Sequence, residues 1–323
     1  CCRGILAEDR LQENSMLLLK LIKCTLQKKE IVFESELLKD NPLGDPYKRK
    51  VVVLEPEKSE GVPIMFFLSG FGGSSLSLLN YDPLVEGLDL KAERLMKKGL
   101  LKGSVMVFPD MFTYVGGNQY LNSTAVGNYE SFLIKELMPF FKEKYASDRV
   151  AVLGKSSGGY GAITLAMKHR EISDAVDHSG DAYFEYCYLF DIPAAYKEIS
   201  KYGSAEKWLS QYWKKENKRL PQDMPALNIV GMSAFYSPKG KEIQLPFDLE
   251  TGELDRKVWN KWLEKDPVRM ADDYSSNLRR LRFLMIDVGD QDEYNLNFGN
   301  RILHKKLLAH RIKHVFEEFE GGH

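Results

Sequence analysis

Long apolar runs, a cysteine framework and a dominant sign of charge are all missing from this chain. The one early hydrophobic stretch, residues 16–22, is interrupted by Lys20 and is far too short to cross a bilayer. No membrane span is therefore expected, and the stretch reads as a short strand or a packed N-terminal arm. Cys1, Cys2, Cys24 and Cys187 show neither disulfide nor metal-ligand spacing. A reducing, cytoplasmic setting and the absence of a resident metal follow as expectations. With 45 basic against 46 acidic residues there is no field to draw in nucleic acid or an anionic membrane. No fixed-period repeat or low-complexity tract is present, which excludes repeat architectures. The chain begins at Cys1 rather than at methionine, so residues before Met16 read as a cloning remnant or the result of processing. No upstream signal accompanies Cys1 as a lipidation site.

What is present suits a large enzyme core. A chain of 323 residues with 44% hydrophobic content can bury one large domain, or one domain with an insertion. Apolar β-rich runs at 31–37, 50–54, 63–69, 104–109, 149–154, 175–178, 282–288 and 314–319 alternate with helical patterns, notably 129–145, 157–169 and 296–310. That alternation predicts an α/β fold, a mostly parallel central sheet with helices on both faces. The expected core is 31–180 with 281–323, preceded by an arm over 1–30. Residues 181–280 carry many aromatics and no clear central strand, and fall between two core strands. They read as a helical lid insertion whose aromatics mostly pack its own small core.

The sharpest motif is Gly154-Lys155-Ser156-Ser157-Gly158, preceded by an apolar strand and followed by a helical pattern. As a bare string it is common; the strand and helix around it give it meaning. A turn tight enough to lift Ser156 above a sheet edge leaves no room for side chains two positions before and after it, which the glycines satisfy. Ser156 is the expected nucleophile. The Ser157 amide, at a helix N-terminus, is an expected oxyanion donor.

A second strand runs through Phe66-Phe67-Leu68 into Ser69-Gly70-Phe71-Gly72-Gly73, where the Phe71 amide is the expected second oxyanion donor. Its spacing matches neither a P-loop nor a dinucleotide fingerprint. The acid is expected just past the strand 282–288, in Gly289-Asp290-Gln291-Asp292; Asp292 is favoured and Asp290 is the runner-up. The base is expected to be His323, after Gly321-Gly322 on a loop beyond the last strand. Its rival, His178, precedes the acid and reads as a supporting or packing residue, whereas His169 ends the helix behind the nucleophile and His304, His310 and His314 read as solvated or capping.

Together these segments, with Gly116-Gly117-Asn118-Gln119-Tyr120-Leu121-Asn122-Ser123 and Gly127-Asn128-Tyr129, resemble the putative-esterase family of α/β-hydrolases. That group includes esterase D, S-formylglutathione hydrolases, mycolyltransferases and enterochelin esterases. The resemblance covers roughly residues 31–323. It implies nucleophile Ser156, acid Asp292, base His323 and oxyanion amides at Phe71 and Ser157, with no cofactor. The pocket patterns of the mycolyl-transfer and glutathione branches are not found. In this family the chain normally continues past the histidine, so a missing or trimmed C-terminal helix is expected. The implied function is a serine carboxylesterase acting on a small-molecule ester of short to medium acyl length. An acyltransferase with the same triad and a non-catalytic binding module on the same fold are the alternatives.

Overall fold

The computed structural model describes residues 26–80 and 82–323. The stretch 16–22 and the cysteines at positions 1, 2 and 24 lie outside the described residues. At the centre is a sheet of β1 (Gln27–Glu34), β2 (Lys48–Glu55), β3 (Ile64–Leu68), β4 (Val105–Pro109), β5 (Val150–Lys155), β6 (Ile172–His178), β7 (Phe283–Gly289) and β8 (Val315–Phe319). The strand order is β1-β2-β4-β3-β5-β6-β7-β8. β1 and β4 run antiparallel to β2, and every other neighbouring pair is parallel.

Alternation of side chains along the strands divides the core between the two faces. Val51 and Val53 of β2, with Val105 and Val107 of β4, join the larger core cluster. Val52, Leu54, Met106 and Phe108 join a smaller cluster on the other side, with Leu79 and Ala92. Strands buried on both faces read as unbroken apolar runs, which is why β2 and β4 are conspicuous in the sequence.

Two strands extend beyond their apolar patterns. β1 starts at Gln27 and ends at Glu34, so residues 27–30, expected in an arm, pair with β2. Its polar half belongs to an edge strand held by main-chain hydrogen bonds, to which side-chain hydropathy is blind. Beyond it the Glu136 carboxylate accepts the amides of Glu36 and Leu37 (2.9 and 3.2 Å), which turns the chain off the sheet. β6 starts at Ile172 rather than 175 because Ser173 donates to the Val150 carbonyl (2.9 Å) and Asp174 pairs with Arg149 (3.1 Å), giving polar residues a place in the sheet.

Helices α1 (Leu88–Lys97) and α2 (Met138–Lys144), the latter continuing a π-helical segment Phe132–Leu137, flank the first half. α3 (Ser157–Lys168) follows β5 and is buried along almost its whole length. Residues 181–280 add no strand to the central sheet. They form α4 (Phe184–Cys187), α5 (Ile192–Ile199), α6 (Ala205–Lys214), α7 (Met224–Tyr236), α8 (Arg256–Leu263) and α9 (Pro267–Arg279), before α10 (Leu296–Ala309) returns to the core. Most aromatics of this segment pack on one another: Tyr236 contacts Phe184, Tyr188 and Trp262, and Trp262 contacts Trp259. Buried Asp266 ties the two ends of the segment together by accepting the amides of Tyr183, Phe184 and Val268 (3.1, 3.2 and 2.9 Å).

One buried carboxyl gives the fold a pH dependence. Asp177, on the α3-facing row of β6, is 1% exposed and lies against Gly159 and Gly180. Burial, then the charges of Asp181 and Asp287, push it up to about 8, against only a partial offset from the Gly180 amide. The folded state thus holds a proton that the unfolded chain releases near pH 4. This contribution to stability is complete below that pH and is lost as pH rises through 8. Asp177→Asn cannot ionise, so between about pH 5 and 8 its melting temperature should fall less steeply with pH than the parent's. Melting curves across that range test this; parallel profiles for the two proteins would exclude it.

Candidate active site

The turn from β5 to α3 brings two backbones closer than any side chain permits. A Cβ on Gly154 would lie 2.2 Å from the Gly158 main chain, and one on Gly158 would lie 2.1 Å from the Leu68 carbonyl oxygen. Between them Ser156 takes φ 58° and ψ −126°, a conformation that costs a non-glycine residue of order 1–3 kcal/mol. Its amide donates to the His178 carbonyl (2.9 Å), and its own carbonyl accepts the Tyr160 amide (2.9 Å) to begin α3. The strain is thus held from both sides, and the half-buried serine lines a deep cavity.

His323 also lines this cavity, and its Nδ1 lies 2.8 Å from Asp292 Oδ2. Asp292 is fully buried at its side chain, and its other oxygen accepts the amides of Tyr294 and Leu296 (2.9 and 3.3 Å). Burial alone would raise this carboxyl. The His323 hydrogen bond and charge, with the two amides, outweigh it and hold the group below the ordinary aspartate value. Asp290, the runner-up from sequence, does not touch the imidazole; it accepts the Gly321 amide (3.1 Å) and so registers the histidine loop. The His323 amide is held by Glu293 (2.8 Å), and Tyr294 packs edge-on against the ring. With Nδ1 committed to Asp292, Nε2 is the ring nitrogen left for a partner. His323 and Ser156 share the cavity, and among the described residues no hydrogen bond joins them.

A second pair, His178 Nδ1 with Asp287 Oδ1 at 2.8 Å, also borders the cavity, its ring stacked on Phe319. The remaining histidines are engaged elsewhere: His169 with Glu130, His310 with Asp272, and His304 with His314.

Ser157 opens α3, and Phe71 sits in the loop after β3; both line the same cavity. Among the described residues neither amide has a main-chain acceptor. An inward ring anchors Phe71: a Cβ on Gly117 would fall 2.4 Å from it, and one on Gly231 of α7 would fall 2.3 Å from it. Next in sequence, Gln119 donates to Ser157 Oγ (2.5 Å), and Tyr120 OH donates to the Ser69 carbonyl (2.7 Å). Adjacent side chains of one loop therefore brace both oxyanion candidates. Ser157 Oγ donates in turn to buried Asp181 (3.1 Å), which also accepts Tyr188 OH (2.8 Å), while Tyr236 OH donates to Gln119 Oε1 (3.0 Å). Burial pushes the Asp181 carboxyl up, against the hydrogen bonds of Tyr188 and Ser157 and the charge of His323. Sequence reading singled out the 116–123 stretch only as a resemblance. It missed Asp181, Tyr188 and Tyr236 as supports: Tyr236 meets Gln119 from 117 positions away, and the Asp181–Tyr188 pair, though seven positions apart, follows no recognisable spacing motif.

The cavity measures about 820 Å³, a size suited to a small organic ligand, and most of its wall is apolar: Phe67, Leu68, Leu78, Leu88, Leu153 and Val176 contribute. Among the described residues no cluster of three or more His, Cys, Asp or Glu groups is arranged to hold a metal, and no helix is long and apolar enough to cross a membrane.

Several solved structures share this architecture. A ferulic acid esterase superposes with a TM-score of 0.57 at 18% identity, over 93% of this chain and 92% of that one. FphF, a fluorophosphonate-binding serine hydrolase of Staphylococcus aureus, superposes with 0.57 at 14% identity, over 93% and 92%. The S-formylglutathione hydrolase FrmB of the same organism gives 0.52 at 14% identity, over 92% of both chains. No curated protein matches the chain. The family model described as Putative esterase matches residues 46–323. The chain therefore belongs to the Putative esterase family and is an esterase of the serine-hydrolase class on the α/β-hydrolase fold.

Proposed function

We propose that the protein is a serine carboxylesterase that cleaves short to medium acyl esters, with Ser156 as nucleophile, His323 as base and Asp292 as its orienting acid. The observation that carries this reading is the strained Ser156 on the wall of the cavity that also receives an imidazole held by a buried carboxylate. His323 Nε2 takes the Ser156 proton as Oγ attacks the ester carbonyl, and the Phe71 and Ser157 amides receive the negative oxygen of the tetrahedral intermediate. Collapse expels the alcohol, which takes the proton from His323 and leaves an acyl-serine. Water, deprotonated by the same ring, then releases the acid and restores Ser156. Asp292 holds the ring in the required tautomer and offsets its charge while it carries the proton. The helices of residues 181–280 act as a lid that limits the size of the ester. Cys187, a buried free thiol, is compatible with a cytoplasmic setting.

Ser156→Ala should lower p-nitrophenyl butyrate turnover by about 10⁴-fold or more and abolish fluorophosphonate labelling, with an unchanged circular dichroism spectrum. Activity near the parent level would refute the nucleophile. The two histidine–aspartate pairs should separate in the same assay. His323→Gln and Asp292→Asn should each reduce kcat by about 10²–10⁴-fold with KM within about threefold, whereas His178→Gln should cost less than about tenfold. The reverse ranking would move the base to His178.

A further inference from the structure

The cavity lining includes Cys187, Tyr188, Asp191, Met224, Pro225 and Asn228, and with Asp191 a carboxyl group that the hydrolytic steps do not use. Asp191 immediately precedes α5 but does not cap it with its side chain. Its carboxylate instead faces Asn228 of α7, whose amide donates to Oδ2 at 2.7 Å. Burial raises this carboxyl, and the Asn228 hydrogen bond counters it. Lys215 pairs with Asp223, and Arg269 with Glu185 and Asp266; among the described residues no ion pair reaches Asp191. The lysines that border the cavity, Lys91 and Lys155, belong to α1 and β5. Asp181, beside the nucleophile, places a second buried carboxyl on the cavity.

A half-buried carboxylate with no ion-pair partner among the described residues disfavours an anionic ligand and favours one that brings its own cation. A neutral hydroxyl could donate one hydrogen bond here but would leave the charge uncompensated. Tyr188, between the two acids in sequence, offers the aromatic surface that ammonium groups also favour. Resting on the esterase reading above, we propose that Asp191, fixed by Asn228 and assisted by Asp181, forms an anionic subsite that selects esters carrying an ammonium group.

The test compares three p-nitrophenyl esters of equal chain length, ending in an ammonium (ε-aminohexanoate), a methyl (heptanoate) or a carboxylate (the adipate monoester). The full chain should follow that order in kcat/KM, with about tenfold or more between the first two at low salt and a narrowing ratio as salt is added. Asp191→Asn should bring the ammonium-to-methyl ratio to about one through loss on the ammonium ester. As a readout independent of any variant, hexylammonium should inhibit the parent enzyme competitively and more strongly than hexanol. A parent enzyme that cleaves the esters without preferring the ammonium, or a preference that survives in Asp191→Asn, overturns the subsite and leaves the esterase reading intact. If the parent cleaves none of the three and does not label with a fluorophosphonate, the esterase reading fails and the subsite falls with it.

Discussion

Main-chain atoms of β3, β5 and α3 meet at the turn around Ser156 at distances that only hydrogen at Cα allows, and the remaining site geometry follows from that contact. Gly158 can lie against the Leu68 carbonyl only without a side chain, and Gly154 can lie against Gly158 on the same condition. Because the helix axis is brought so close to the strand ends, Ser156 is forced into a left-handed conformation and the Ser157 amide is left at the first turn of α3, without a helical acceptor. The strain is sustained because β6 accepts the serine amide and α3 begins on its carbonyl.

Around this turn the chain spends polar side chains on position rather than on chemistry. Gln119 and Tyr120 grip the two loops that carry the oxyanion candidates, from one short stretch between β4 and α2. Asp290 and Glu293 hold the main chain of the C-terminal loop, leaving Asp292 free to meet the imidazole. Apart from the exposed Glu293 contact, these are hydrogen bonds in a partly or fully dry setting, where an orphaned partner would cost more than the bond itself returns. Asp191 stands out against this pattern: among the described residues it forms no ion pair, and its hydrogen-bond partner is the neutral amide of Asn228.

Much of the fold is legible in the chain because parallel strands covered on both faces must be apolar along their length, as Val51–Leu54 and Val105–Phe108 are. Legibility fails where main-chain pairing overrides side-chain character. The lysines of β1 and the Ser173-Asp174 start of β6 look like loop and are sheet. Candidate residues set by local backbone demands, such as the glycines around Ser156, stand out in the sequence. Residues that act through partners more than a hundred positions away do not; Tyr236 reaches Gln119, and Gly231 frames Phe71, only once α7 folds back over the sheet.

Sequence alone determined the hydrophobic periodicities, and with them the strands and helices of the core, and it marked the tight turn at Ser156, since both are properties of neighbouring residues. Tertiary structure decided which carboxyl meets which imidazole, separating Asp292 from Asp290 by the direction of one loop. It also decided which acids reach the cavity wall, Asp181 from just beyond β6 and Asp191 ahead of α5. Those outcomes depend on distances between segments far apart in the chain, and no local pattern encodes a distance.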